Sequence, residues 1–416
     1  MDSESSESLF DKLKSMGVQI GAENIRPRPK PRRVTYEIES IIKGADYSTL
    51  SGNTFICHEQ YPADYLHGQL PLCCDHEMEV LAACCHTPRI MQPGGRNVVF
   101  LDTETSGLAG GTGTFAFLIG IGYRTENGFE LLQFFMRGPE QESALLEALN
   151  DWLVRFDVVV TFNGKTFDLP LLNTRYLLNG VPAPFEGYQH LDVLHIARKI
   201  WRDRLPSRAL PELEREIIQI RRSEEDIPGW MIPQIYFDYL RTGDARPLAG
   251  IFYHNALDIL SLATLYGYVA DLLAEPLTSA QHGIDLAAIA RMMEDMGRFE
   301  DAMFLYERSI DHDLPEVFFV RTVERYALLR RRQEEWSLAA QLWRKAAERG
   351  SVNACIELAK YYEHRERNYL EALFWAKRAL DIIDGDRFYF GSGQASQQEV
   401  ERRIGRLYKR VYRIMD

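Results

Sequence analysis

Four acidic residues stand in three short phrases: Asp102 and Glu104 in NVVFLDTET, Asp168 in FNGKTFDLPLL, and Asp258 in YHNALDILSLATL. The first pair lies two apart in what reads as a short buried strand, so both side chains share one face. Asp168 follows a second buried run, DVVVTFN, at the start of a helix; Asp258 lies among Leu and Ile residues at helical spacing. Carboxylate oxygens are hard ligands suited to Mg²⁺ or Mn²⁺ rather than zinc. Two such ions about 4 Å apart can stabilise both the attacking and the leaving oxygen of an in-line phosphodiester displacement. Four gathered carboxylates repel one another without cations, which makes a purely structural role for the set costly. Taken singly, Asp168 also reads as a helix N-cap and Glu104 as a surface charge.

A general base is expected near Asp258. His254 precedes it by four residues and Tyr253 by five. On a helix these lie about 40° and about 140° from Asp258, so His254 is nearly under it and Tyr253 points elsewhere. Imidazole titrates near neutral pH and can take a proton from water, which favours His254 over Tyr253. Thr103, between the first two acids, is expected at the substrate. Lys165 is read either as a phosphate contact or as an exposed lysine. Asp192 in HLDVLHIARK reads as a helix cap, with an outer-shell acid as the alternative. Gly110 to Thr114 (GGTGT) lacks the Gly-Lys-Ser/Thr of a P-loop and reads as a flexible loop beside the site.

These residues need a scaffold. From Asn97 the pattern is strand, strand, strand, helix, strand, helix: NVVFLD, then TFAFLIGIGY and FELLQFFM as an antiparallel pair around TENG, EQESALLEALNDWL, DVVVTFN and LPLLNTRYLL. That order implies a mixed central sheet flanked by helices. The expected division is a basic, Pro-rich arm at 1–33, an accessory segment at 34–95 packed on the nuclease domain, that domain itself at 96–275, and helical repeats at 282–416. Three C-terminal segments repeat a small or aromatic pattern: Ala302, Tyr306, Ser309; Ala339, Trp343, Ala346; and Ala372, Ala376, Ala379. Ala290 and Ala327 lie twelve residues upstream of the first two, and Ala359 is one residue out of register. A period near 34 residues is that of tetratricopeptide repeats, scaffolds that bind protein or peptide; a helical bundle capping the nuclease domain is the alternative.

The phrases DTETSGL, FNGKTFD and HNALD resemble the three motifs of DEDD-type 3′–5′ exonucleases, and FNGKTFDLPLL is especially similar to the second motif of family-B polymerase proofreading domains. With the repeats, the chain most resembles the bacterial YprB-like ribonuclease H-like proteins, over about residues 45 to 270 and then to near the C-terminus. The resemblance implies an α/β ribonuclease H-like fold and metal-binding roles for Asp102, Glu104, Asp168 and Asp258. It also implies a structural or substrate-orienting role for Asn163. Members place Tyr four residues or His five residues before the last Asp; here the order is reversed. The expected function is metal-dependent hydrolysis of single-stranded DNA or RNA from the 3′ end, with two Mg²⁺ or Mn²⁺ ions. The alternatives are a catalytically silent adaptor acting through its repeats, or an endonuclease on structured nucleic acid.

The bulk properties agree with a soluble enzyme. The chain has 416 residues, 46% hydrophobic and 26% charged. No apolar run of the roughly 18 or more residues needed to span a bilayer and no secretory leader is evident, so a cytoplasmic protein without a membrane partner is expected. The net charge of −12 is a poor footprint for coating nucleic acid, but basic stretches occur at Arg26 to Arg33, Arg198 to Arg208 and Arg402 to Arg413. The middle one falls within the catalytic region. Six cysteines do not make a disulfide framework. Cys57, Cys73, Cys74, Cys84 and Cys85 are interleaved with His58, His67, His76 and His86. Adjacent pairs do not suit a zinc knuckle, so buried thiols are the expected state.

Overall fold

The computed structural model describes residues 36–73, 77–91, 97–107, 113–223, 226–312, 314–385 and 397–415. The N-terminal arm, Cys74, His76 and residues 110–112 of the glycine-rich loop lie outside them.

Strands β1 (Gly44–Thr49) and β2 (Gly52–Pro62) form a hairpin, followed by a small ribbon of β3 (Leu66–His67) and β4 (Leu70–Pro71) and by helix α1 (Glu79–Cys85). Then come β5 (Val98–Thr105), β6 (Ala116–Thr125), β7 (Gly128–Phe135), α2 (Glu142–Leu153), β8 (Val158–Thr161), α3 (Asp168–Asn179), β9 (Gln189–Asp192) and α4 (Val193–Trp201). A short helix α5 (Leu210–Leu213) runs into a π-turn at Glu214–Ile218, and α6 (Ile232–Thr242) leads to the long α7 (Leu248–Ala274).

The sheet order is β1-β2-β7-β6-β5-β8-β9, antiparallel from β1 to β5 and parallel from β5 to β9. The N-terminal hairpin thus extends the sheet in plane, while α1 packs on α7. β9 is a strand that sequence reading did not anticipate: its residues, QHLD, lack the apolar run that marks β8, and it is held by parallel pairing with β8.

The apolar half of β5 is buried on both faces. Val98 and Phe100 pack with α4 and α7, whereas Val99 and Leu101 pack with α2, α3 and α6. Strand alternation therefore sends Asp102 and Glu104 to the α7 side and Thr103 to the α3 side. β8 pairs with β5 only as far as Phe100, while β5 continues alongside β6 to Thr105. The end of β8 leaves a crevice at the carboxyl ends of the parallel strands, where open α/β sheets bind ligands.

Helix α7 is long and apolar enough in composition to cross a bilayer, with a mean hydropathy of 1.4 over its most apolar stretch. No comparable run was evident in the sequence, because His254, Asn255, Asp258, Ser261 and Thr264 interrupt it. In the fold 78% of that stretch is buried against the sheet and neighbouring helices, which accounts for its composition.

After the short α8 (Pro276–Ser279) the elements among the described residues are all helices: α9 (Gly283–Asp295), α10 (Phe299–Asp311), α11 (Glu316–Arg332), α12 (Trp336–Glu348), α13 (Val352–His364), α14 (Tyr369–Gly385) and α15 (Gln397–Met415). All the small and aromatic positions of the repeating pattern, from Ala290 to Ala379, are buried where successive helices meet. The third basic stretch serves this packing: Arg403, Arg406 and Arg410 converge on Glu363, at 2.6, 3.0 and 3.4 Å. Trp201 of α4 stacks on Tyr268 of α7, and Arg204 bonds Asp285 of α9 at 2.9 Å, so the apolar core runs from the sheet into the helical region.

Candidate active site

Asp102, Glu104, Asp168 and Asp258 meet at the crevice beyond β8. Asp102 and Glu104 come from β5 and Asp258 from the α7 layer; Asp168 arrives from the opposite layer as the first residue of α3. Burial raises the pKa of all four carboxyls. Asp258 and Asp168 push Asp102 further up, and Asp102, Asp258 and Asp168 do the same to Glu104. Asp168 is pushed up to about 6 by burial, against the hydrogen bond it accepts from the Thr103 hydroxyl at 2.5 Å. Thr103, expected at the substrate, thus directs its hydroxyl at a carboxylate across the layers.

Asp102 is held by a buried polar network. Asn255 Nδ2 donates to Asp102 Oδ2 at 2.9 Å, and Gln133 Nε2 donates to Asn255 Oδ1 at 3.0 Å and to the Phe252 carbonyl at 2.8 Å. The network needs Gly120 on β6, opposite Asp102: a Cβ there would lie 2.2 Å from Asn255 Oδ1. The FNGKTFD turn is fixed in a similar way. Asn163 has φ 66°, and a Cβ on Gly164 would meet the Thr161 side chain at 2.5 Å. Asp192 caps α4 through Leu194 N and also accepts from the backbone N–H groups of Asn163 and Lys165, at 2.8 and 3.1 Å. It is a cap that also ties down the loop before Asp168.

His254 lies beside Asp258, its Nε2 3.7 Å from Oδ2. Its Nδ1 is 2.7 Å from Asp226 Oδ1. Arg222 Nη1 also lies 3.2 Å from Nδ1, so Nδ1 sits between a carboxylate and a guanidinium while Nε2 faces Asp258. Tyr253 points away, accepting from Ser223 Oγ at 3.1 Å and lining a cavity of about 920 Å³ between β2 and α7. None of the four carboxylates lines that cavity. A smaller one, of about 480 Å³, is lined by Asp102, Asp258, Phe162, Asn163, Arg198 and Arg208. Two of the four carboxylates, Asp102 and Asp258, thus share this cleft with Arg198 and Arg208, and Arg208 Nη1 donates to the Leu205 and Pro206 carbonyls at 3.1 and 3.3 Å. The Nε of Arg208 is buried with no hydrogen-bond partner among the described residues. Lys165 is exposed and does not line the cleft.

Sequence reading missed Asn255, Glu214, Arg222 and Asp226. Arg222 bonds Glu214 through two parallel contacts and Asp258 through Nη2. Although burial opposes it, hydrogen bonding to Glu214 and the charge of Asp258 raise its pKa.

The four carboxylates suit a hard divalent cation, whose positive charge would relieve the burial and mutual repulsion that raise their pKa values. Among the described residues, no three His, Cys, Asp or Glu side chains are already grouped as ligands of one ion. Asp258 is instead engaged by Arg222. At the cysteines, burial pushes the Cys57 and Cys85 thiols up to about 12 and raises that of Cys84.

Residues 99–270, from β5 into α7, match the RNase H superfamily. The chain is also 30% identical over 367 residues, 85% of each partner, to the uncharacterised protein YprB of Bacillus subtilis (strain 168). It belongs to that family of RNase H superfamily proteins. The family B DNA polymerase of the archaeon Pyrobaculum calidifontis matches 48% of this chain and 29% of its own, with 18% identity and a TM-score of 0.32, a likeness too slight to carry weight.

Proposed function

We propose that the chain is a metal-dependent nuclease that releases nucleotides from the 3′ end of single-stranded DNA or RNA. The observation that carries this reading is the gathering of four carboxylates, two buried and two half-buried and each with a raised pKa, beside a histidine whose Nε2 faces Asp258. Asp102, Glu104, Asp168 and Asp258 are the residues to hold Mg²⁺ or Mn²⁺. When bound, two such ions supply the charge that stabilises the attacking and leaving oxygens of an in-line displacement. His254 takes the proton from the attacking water at Nε2, and Asp226 stabilises the imidazolium that forms. Asn255 keeps Asp102 ionisable and oriented. Arg198 and Arg208 bind backbone phosphates in the same cleft, giving a local positive field in a chain of net charge −12. The paired C-terminal helices are a tetratricopeptide-like surface for a protein partner.

The test is cleavage of end-labelled single-stranded DNA and RNA with Mn²⁺, Mg²⁺ or EDTA, beside Asp102→Ala and Asp258→Ala. Metal-dependent laddering from the 3′ end, lost in both variants, supports the reading. Internal fragments would favour an endonuclease. No cleavage under any condition overturns it and leaves the adaptor reading.

A further inference from the structure

Arg222 stands inside the carboxylate cluster but is anchored from behind it. Its side chain is 12% exposed. Nε donates to Glu214 Oε2 at 2.7 Å and Nη2 to Glu214 Oε1 at 2.7 Å, a forked pair that fixes the plane of the guanidinium. Glu214 is itself buried and accepts from Ser261 Oγ at 2.7 Å, while Ser261 lies 2.9 Å from His67 Nε2. Nη1 is 3.2 Å from His254 Nδ1 and 3.5 Å from Asp226 Oδ2. None of these anchoring groups is one of the four carboxylates. Only the outer edge of the guanidinium, at Nη2, reaches Asp258 Oδ1.

We propose that Arg222 is a resident competitor for Asp258: a divalent cation must draw Oδ1 away from the guanidinium edge, while the Glu214 fork keeps Arg222 beside the site. This inference rests on the nuclease reading and deepens it. A charge-assisted bond in a low-dielectric site is strong, so an ion that takes Asp258 loses part of its binding energy to breaking that contact. The nearby positive charge also repels the incoming cation. The four carboxylates therefore bind divalent ions more weakly than their number and charge imply. The forked anchor lets the contact break without unfolding the segment that carries Arg222, because Glu214 and Asp226 stay neutralised.

The experiment is calorimetric Mn²⁺ titration of the full chain, with circular dichroism melting as the check on folding. Arg222→Gln is expected to bind Mn²⁺ at least fivefold more tightly, and Arg222→Lys, which keeps a charge without the fork, to fall between it and the parent. Asp258→Asn should remove the affected binding step from parent and variant alike. A folded Arg222→Gln with unchanged or weaker affinity overturns the proposal while leaving the nuclease reading intact. If Arg222→Gln does not fold, Arg222→Lys decides: tighter binding supports competition, and unchanged or weaker binding overturns it. A parent chain that binds no Mn²⁺ removes the metal-dependent reading, and this inference with it.

Discussion

Asp168 carries an energetic cost that can be measured without any substrate. Its carboxyl is pushed up to about 6 from 3.8, chiefly by burial. Between those values the folded chain holds a proton that the unfolded chain has released. Stability is therefore highest below the window and falls as pH rises through it. The shift of about 2 units, at 1.36 kcal/mol each, amounts to about 3 kcal/mol once the pH is well above 6. Asp168→Asn removes the charge and keeps an oxygen to accept the Thr103 hydroxyl. In EDTA at pH 7.5 the variant is expected to be more stable by up to about 3 kcal/mol, which is about 6–12 °C in Tm for a domain of this size. At pH 5, closer to the unfolded value, the gain should shrink to about 1.5 kcal/mol. Urea and thermal unfolding followed by circular dichroism at the two pH values measure both quantities. An Asn variant no more stable than the parent at pH 7.5, or a gain undiminished at pH 5, would refute the argument that a desolvated charge is held at this position.

Other expectations come from the same geometry. Asn255→Leu removes a donor from Asp102 and an acceptor from Gln133; it should cost about 2–4 kcal/mol in urea unfolding and raise the pH at which activity appears, because Asp102 loses a bond that lowers its pKa. Gly120→Ala forces a Cβ onto Asn255, and should cost about 1–3 kcal/mol and reduce cleavage with it. His254→Ala should lower kcat by about 10²–10⁴-fold whereas Tyr253→Phe changes it little, a contrast that reverses if Tyr253 is the base. The double variant Arg198→Gln, Arg208→Gln should weaken oligonucleotide binding and flatten its salt dependence by up to about 2 in log–log slope. An unchanged slope would mean that neither guanidinium meets a phosphate.

Much of the site was legible because its information is local. Asp102 and Glu104 share a strand face at spacing two, His254 and Asp258 share a helix face at spacing four, and each motif carries its own apolar strand or helix beside it. The order of strands and helices after Asn97 was readable for the same reason: long, strongly periodic segments announce their own conformation. Burial of the alanines and aromatics between the C-terminal helices reflects the same kind of signal.

What the chain alone could not disclose depends on residues brought together from afar. Asn255 meets Asp102 from 153 residues away, and Gly120 matters only because Asn255 passes over it. Thr103 and Asp168 lie 65 residues apart in the chain and meet on the α3 side of the sheet. Glu214, Arg222 and Asp226 lie in a charged stretch, EREIIQIRRSEEDIP, whose composition alone suits an exposed segment. The basic residues after Arg402 turn inward to a buried glutamate, whereas Arg198 and Arg208 line the cleft that Asp102 and Asp258 also line. Residue type and short-range period determine which elements form and which face is apolar. Pairing between charges is set by distances across elements, and those exist only once the sheet, its switch point and the long buried helix have closed around one another.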